Sequence, residues 1–241
     1  MKKDNIYKDT VERIQPFKFN SKVVDVFDDM INRSVPLYQE SIKRQAEIAA
    51  EFYQEGSVIY DLGCSSGNVG LTFLDKMGKK KFNMVAVDNS KEMIDEYKKR
   101  LSNKPKSENI NFLCDDIRDI SFENASVVII NLTLQFIPLA DRDSLVKRIY
   151  DSMLSGGVII LTEKTVHKDK TITDLQQDFY YLFKKENGYS NLEISQKRDA
   201  LENVLIPETP EDHIKRLNNS GFKETDIWLK WFNFASFIGI K

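Results

Sequence analysis

Short apolar runs alternate with stretches of helical period over the first two thirds of the chain. Ser57-Val-Ile-Tyr-Asp-Leu62 is an apolar run stopping at Gly63 and reads as a buried strand. Leu71, Phe73, Leu74 and Met77 follow at helical spacing, and Gly78 ends that pattern. Met84-Val-Ala-Val87 predicts a second strand, ending at Asp88. Ser90 then reads as an N-cap, with Met93, Ile94 and Tyr97 on the helix it opens. Ile110–Leu113 and Val127–Ile130 predict two further strands. Leu145, Ile149 and Met153 predict a helix closed by Ser155-Gly156-Gly157, and Val158–Leu161 a fifth strand. Strands alternating with helices imply an α/β fold with a parallel sheet, and ligands at the carboxyl ends of its strands.

After Thr162 this rhythm breaks. Residues 168–206 read as helical, with Leu175, Phe179, Leu182 and Phe183 on one stripe and Ile194, Leu201 and Leu205 on a second, parted by a loop at Asn187-Gly188. The stretch is long for a plain connection, so it is expected to be an inserted helical lid or interface. Pro210 opens another helix that Gly221 ends. Ile227–Phe232 and Phe234–Ile240 predict a hairpin turning at Asn233, which gives a seven-stranded, mostly parallel sheet with an antiparallel C-terminal hairpin. One domain spanning 1–241 is expected, with a helical cap over about 20–52.

Composition narrows the function classes. Thirty-five basic and 37 acidic residues leave a net charge of -2, without the basic excess of proteins that wrap nucleic acid, so no direct nucleic-acid binding is expected. No apolar run approaches the roughly 18 residues of a membrane span. The start, MKKDNIYKDTVERI, has no apolar stretch behind its lysines, so a cytoplasmic location is expected. Two cysteines, Cys64 and Cys114, are too few for a disulfide framework or a structural zinc site, and no metal is expected. Both read as small packed groups, Cys64 inside a turn and Cys114 at the end of a buried strand.

The strongest local signal is Tyr60-Asp-Leu-Gly-Cys-Ser-Ser-Gly67. A strand running into a glycine turn at a helix start lets a ligand approach the backbone, and the free N–H groups favour an anionic end. The spacing Asp-x-Gly-x-x-x-Gly departs from the dinucleotide pattern and resembles the first motif of class I methyltransferases, which bind S-adenosylmethionine (SAM). Asp88, at the end of the next strand, suits both ribose hydroxyls, with Asn89 beside it. Its other reading is a cap on the following helix. Asp116 follows the third strand, where the adenine amino group needs an acceptor, and Ile117 suits the adenine face. Asn131 ends the fourth strand, facing the methyl and sulfonium region. His167 and His213 are the only histidines, and His213 is expected on a surface helix, so no catalytic base stands out.

Four segments resemble the carboxy-SAM synthases, a family of the class I methyltransferase (Rossmann-like) fold. They are Phe27-Asp-Asp-Met-Ile-Asn-Arg-Ser-Val-Pro-Leu-Tyr38, Tyr60 to Ser65, Asp116-Ile-Arg-Asp-Ile120 with Asn131-Leu-Thr-Leu-Gln-Phe136, and Asn187-Gly-Tyr-Ser-Asn-Leu-Glu-Ile-Ser-Gln-Lys-Arg198. The resemblance implies conversion of SAM and prephenate to carboxy-SAM and phenylpyruvate through a sulfonium ylide that captures CO2. The product is then the donor for a tRNA carboxymethyltransferase acting on a wobble uridine. It also implies a homodimer, and ligand contacts at Tyr38, Gly63, Cys64, Ser65, Asp88, Asn89, Asp116, Ile117, Asn131 and Arg198. Of these, Arg198 is assigned the catalytic role of pairing with the new carboxylate, since a bare sulfonium gains nothing from a guanidinium beside it. A solvated helix face, with Arg198 paired to a neighbouring acid, is the alternative. Arg33 and Tyr189 lie in the same segments and are candidates for the prephenate carboxylates. An ordinary SAM-dependent methyltransferase and a non-catalytic SAM-binding protein remain open as competing readings.

Overall fold

The central strands are apolar along most of their length, with polar residues such as Asp61, Asn131 and Glu163 towards their carboxyl ends, and helices cover them on both faces. The computed structural model describes residues 2–78 and 80–241. The strands are β1 (Val58–Leu62), β2 (Met84–Val87), β3 (Ile110–Leu113), β4 (Ala125–Asn131), β5 (Met153–Lys164), β6 (Glu224–Trp231) and β7 (Phe234–Ile240). They form one sheet in the order β3-β2-β1-β4-β5-β7-β6, parallel from β3 to β5, with β7 antiparallel to both neighbours. The seven-stranded sheet with an antiparallel end is the one the apolar pattern predicts.

The helices are α1 (Ser21–Val24), α2 (Phe27–Ser34), α3 (Tyr38–Phe52), α4 (Asn68–Met77), α5 (Lys91–Leu101), α6 (Leu139–Ser152), α7 (Lys170–Glu186), α8 (Asn191–Leu201) and α9 (Pro210–Ser220). Alternation along each central strand sends side chains to opposite faces. Ile59, Val127, Ile129, Val158 and Ile160 pack with α3, α4 and α5 through Ala46, Phe73 and Tyr97. Tyr60, Leu62, Val128, Ile130 and Ile159 pack with α6 and α9 through Leu145, Ile149 and Leu217. Among the described residues no helix is long and apolar enough to cross a membrane.

Three local expectations change. β5 begins at Met153, not Val158: it pairs first with Ala125, and the register shift between Ala125 and Val127 absorbs the irregular Ser155-Gly156-Gly157 stretch within the strand. Leu205 lies beyond α8, which ends at Leu201, so the second helical stripe is shorter than its apolar spacing suggests. His213 is buried on α9 with its ring 5.0 Å from that of Phe237, not on the surface. Burial, reinforced by the nearby Arg216 guanidinium, pushes it down to about 4 and keeps it neutral. Cys114 is exposed, because β3 is the sheet edge and leaves the chain after Leu113 uncovered.

Candidate functional site

At the carboxyl end of the sheet a cavity of about 390 Å³ opens between β1, β2, β4 and β5 and the helical segments on either side. Its floor is the turn after β1. Gly63 and Cys64 donate their N–H groups to Val87 O at 2.8 and 2.9 Å, folding the turn back onto β2. Gly63 has φ +75, and a Cβ there would stand 2.1 Å from Thr133 Oγ1, so the turn and the loop after β4 approach as closely as only glycine permits. Ser65 takes a left-handed conformation (φ 51) and donates its N–H to Asp88 Oδ2 at 2.8 Å.

Asp88 ties the start of α5 and also lines the cavity. Its other oxygen accepts from Ser90 N at 2.9 Å, tying the start of α5, while the residue still lines the cavity. Burial raises its carboxyl, and the two N–H donors oppose that. A carboxylate has about four acceptor positions, so two remain for ribose hydroxyls. Asp116 also lines the cavity, held by Arg118 through contacts of 3.0 and 2.8 Å that keep its carboxyl below the usual range. Ile117 is buried behind it.

On the opposite wall Tyr38 is buried, and its hydroxyl accepts from Asn68 Nδ2 at 3.1 Å. Burial raises that phenol, keeping it a neutral donor. Arg100 fixes Asn68 by donating to its Oδ1 at 2.8 Å and to Ser66 O at 2.7 Å. Asn131 Oδ1 accepts from Gln45 Nε2 at 3.2 Å, which orients the amide at the end of β4. Glu163 braces the loop beyond it. Its fully buried carboxylate accepts from the N–H groups of Thr133, Leu134 and Gln135 at 3.1, 2.8 and 3.1 Å, although burial pushes it up to about 8.

The structure thus gathers Tyr38, Gly63, Cys64, Ser65, Asp88, Asn89, Asp116, Ile117 and Asn131 on one cavity. Arg198 is not among them. It lies largely exposed on α8, paired with Asp199 at 2.8 Å and within reach of Tyr181 of α7. α8 turns Lys197 to the cavity, and Arg198, about 100° further round the helix, points away from it. Arg33 and Tyr189 also lie outside it, and this corrects their candidacy for substrate carboxylates. Arg33 donates to Asn187 O at 2.7 Å and Asp29 Oδ2 at 3.0 Å and stacks 3.9 Å from the centre of the Tyr189 ring, whose hydroxyl donates to Asp4 at 2.6 Å. That cluster joins the N-terminal segment, α2 and the loop between α7 and α8.

Sequence reasoning missed several lining residues. Asp61 is buried, its Oδ2 has no hydrogen-bond partner, and burial with the nearby Asp88 charge pushes it up to about 7. An acid inside an apolar strand, two residues before the glycine, was its signal. Lys164, Lys197 and Tyr180 line the cavity from β5, α8 and α7, and Phe17 and Phe19 cross it as a strap hydrogen-bonded to α8 and α5. Lys197 lies in the Asn187–Arg198 segment, without its own role being marked there, and no local motif marks the others. Among the described residues no group of three His, Cys, Asp or Glu side chains is placed to hold a metal ion.

The cavity's lining suits an elongated ligand with a hydroxyl-rich middle and a cationic group near Asp61, as SAM has. Comparison with known proteins agrees. Residues 59–157 match the family model described as a methyltransferase domain. The chain is 51% identical over its whole length to the carboxy-S-adenosyl-L-methionine synthase of Desulforapulum autotrophicum, covering 98% of that protein. It is 42% identical over its whole length to the synthase of the same name from Haemophilus ducreyi, covering 99% of that protein. In fold it is similar to human N-acetylserotonin methyltransferase solved in complex with SAM (TM-score 0.62, 16% identity, 91% of this chain and 55% of that one). An O-methyltransferase family protein from Burkholderia thailandensis is likewise similar (TM-score 0.66, 14% identity, 92% of this chain and 60% of that one). These two likenesses establish the class I methyltransferase architecture.

Proposed function

The chain belongs to the carboxy-S-adenosyl-L-methionine synthase family of SAM-dependent enzymes, and from that membership we propose that it converts SAM and prephenate to carboxy-SAM and phenylpyruvate. The observation that carries this reading is the convergence of nine residues from distant parts of the chain, Tyr38 through Asn131, on a single cavity. In this assignment Asp88 and Asn89 hold the ribose, Asp116 and Ile117 the adenine, and the turn Gly63-Cys64-Ser65 the amino-acid end. Tyr38 and Asn131 flank the sulfonium.

The chemistry balances without a protein base. Prephenate loses its ring carboxyl group as CO2 and its hydroxyl as hydroxide while the ring aromatises to phenylpyruvate. The hydroxide takes a proton from the SAM methyl group and leaves as water. The methyl carbon, now carrying the electron pair, forms a bond to the CO2 carbon. Aromatisation supplies the driving force, and the buried cavity keeps the CO2 and the carbanion from water. The product then supplies a separate enzyme that modifies a wobble uridine of tRNA.

Arg198 fits this scheme from a second copy of the chain. Its guanidinium stands beside Tyr181 on α7, at the margin of an exposed apolar stripe of Ile172, Leu175, Phe179 and Leu182. Such a stripe favours burial against a partner. In a homodimer packed there, Arg198 of the partner subunit is the group assigned to pair with the new carboxylate.

The test is a mass spectrum of the nucleotide pool after the purified protein is incubated with SAM and prephenate. A SAM species heavier by one CO2, formed only when prephenate is present, is the expected result. Unchanged SAM, or methyl transfer to an added acceptor, returns the ordinary methyltransferase reading. Arg198→Ala is expected to abolish carboxylation while sparing SAM affinity more than Asp88→Ala does.

A further inference from the structure

Three lysines and two tyrosine rings form a continuous cluster at the β5 end of the cavity. Lys164 Nζ lies 4.8 Å from the centre of the Tyr180 ring. Lys184 Nζ lies 5.4 Å from that ring and 5.3 Å from the Tyr189 ring, and Lys197 Nζ 5.9 Å from the latter. Lys164 and Lys197 line the cavity, and Lys184 stands behind them.

The carboxylates facing the cluster are already engaged. Asp4, 4.0 Å from Lys197, accepts from Tyr189 Oη and the N–H of Ile6. Glu193, whose charge acts on Lys184, closes the capping box at the start of α8 through Ser190. Among the described residues Lys164 has no carboxylate partner, and burial alone pushes it down to about 8. Lys184 is pushed down to about 7 by burial and then by Lys197 and Lys164, and Lys197 to about 8 by burial. Buried cations are ordinarily paired, so this surplus of positive charge points to an anion that the cavity is built to take.

The sheet order fixes where that anion sits. Asp116 follows β3 at one end of the parallel strands, and Lys164 ends β5 at the other. Neighbouring strands are about 4.8 Å apart, so about 19 Å of strand ends separate them. A nucleoside between Asp116 and Asp88 leaves its sulfonium near Asn131, and Lys164 next beyond it. A protonated lysine there repels a bare sulfonium, and an anion between them relieves the repulsion. The wall around the lysines is apolar: Leu201, Leu205, Phe234 and the Tyr180 ring.

We propose that Lys164 and Lys197, with Lys184 behind them, form the subsite for the second substrate and hold the two carboxylates of a small, hydrophobic dicarboxylic acid. This deepens the reading given above and rests on it for the identity of that acid, prephenate.

The experiment is calorimetric titration of prephenate into protein saturated with S-adenosylhomocysteine, beside steady-state kinetics with SAM, for wild type, Lys164→Met and Lys197→Met. Each substitution is expected to raise the prephenate Kd and KM tenfold or more and the SAM Kd by less than threefold. Lys164→Arg and Lys197→Arg should recover part of the loss, which a merely structural role does not predict. On the wild-type protein, phenylmalonate should compete with prephenate and not with SAM, a result independent of whether any variant folds. Unchanged prephenate Kd and KM in both methionine variants, or no competition by phenylmalonate, overturns the subsite. If wild type forms no carboxy-SAM yet binds prephenate or phenylmalonate in a lysine-dependent way, the subsite stands and the reaction falls. If carboxy-SAM forms and the lysines do not matter, the reaction stands and the subsite falls.

Discussion

Gly63 and Asp61 sit within one turn of chain and carry two different constraints. At Gly63 the backbone has φ +75 and the space for a Cβ is filled by Thr133. Gly63→Ala should therefore lose at least about 2 kcal/mol of stability in a urea titration, adding left-handed strain to overpacking, and weaken SAM binding. At Asp61 the constraint is protonation. Its folded value, raised to about 7, lies above its unfolded one. The folded state therefore holds the proton more tightly, and Asp61 costs stability as the pH rises from about 4 to about 7. A cationic ligand reverses that preference. SAM affinity should rise roughly tenfold between pH 6 and pH 7.5 and level off above, because below 7 binding must expel the proton. Asp61→Asn should flatten this profile in a calorimetric pH series; an unchanged profile would remove Asp61 from the site. The place of Asp88 after a short strand pointed to a ribose contact, with a cap on α5 as the alternative; the structure shows it tied to the start of α5 while it lines the cavity. One oxygen accepts from Ser65 N and the other from Ser90 N, an outcome of side-chain rotation that linear spacing does not specify.

At the scale of elements, α7 and α8 carry the most information. The stripe Leu175, Phe179, Leu182 reads as a buried face by period, yet it is exposed in the single chain, with Phe179 stacked on Phe232 at 4.6 Å. Burying one such leucine contributes about 1.5–3 kcal/mol. Leu175→Glu with Leu182→Glu should therefore turn the proposed homodimer into a monomer by light scattering, with carboxylation lost and SAM binding kept within about threefold. A persistent dimer would place the interface elsewhere. The capping boxes of α8 and α9, at Ser190–Glu193 and Thr209–Asp212, define these helices locally. The start of α9 at Pro210 was accordingly readable from sequence. The end of α6 was not: Met153 continues the helical spacing of Leu145 and Ile149 but belongs to β5, because pairing with Ala125 outweighs one more helical turn.

Across the whole molecule, Arg142 ties together regions that share no sequence neighbourhood. Fully buried, it donates to Ile137 O and Ile206 O, both at 2.9 Å, and pairs with Glu208 at 2.5 Å, which also holds Arg216 at 2.6 Å. This brace fixes the segment after α8 against the loop that Glu163 also holds. Arg142→Met should cost about 3 kcal/mol, since the carbonyls of Gln135, Ile137 and Ile206 and the half-buried Glu208 carboxylate lose a donor. A thermal denaturation series would measure the loss, and the Kd for SAM should suffer less than the stability.

Strand and helix identities, the glycine turn, the acids at successive strand ends and the caps of α5 and α9 were determined by the sequence alone. Each depends on periodicity or on groups within a few residues, and such short-range preferences are written in the order of residues. The family followed from segments such as Arg33-Ser-Val-Pro36 and Glu193-Ile-Ser-Gln-Lys-Arg198. Only the tertiary structure decided which cations meet the cavity. Lys164, Lys184 and Lys197 come from three elements, and nothing along the chain relates them. Their meeting depends on β5 lying beside β4 and on the direction in which α8 crosses, both fixed by long-range packing. The same geometry turned Lys197 inward and left Arg198, about 100° further round α8, exposed beside Tyr181 of α7.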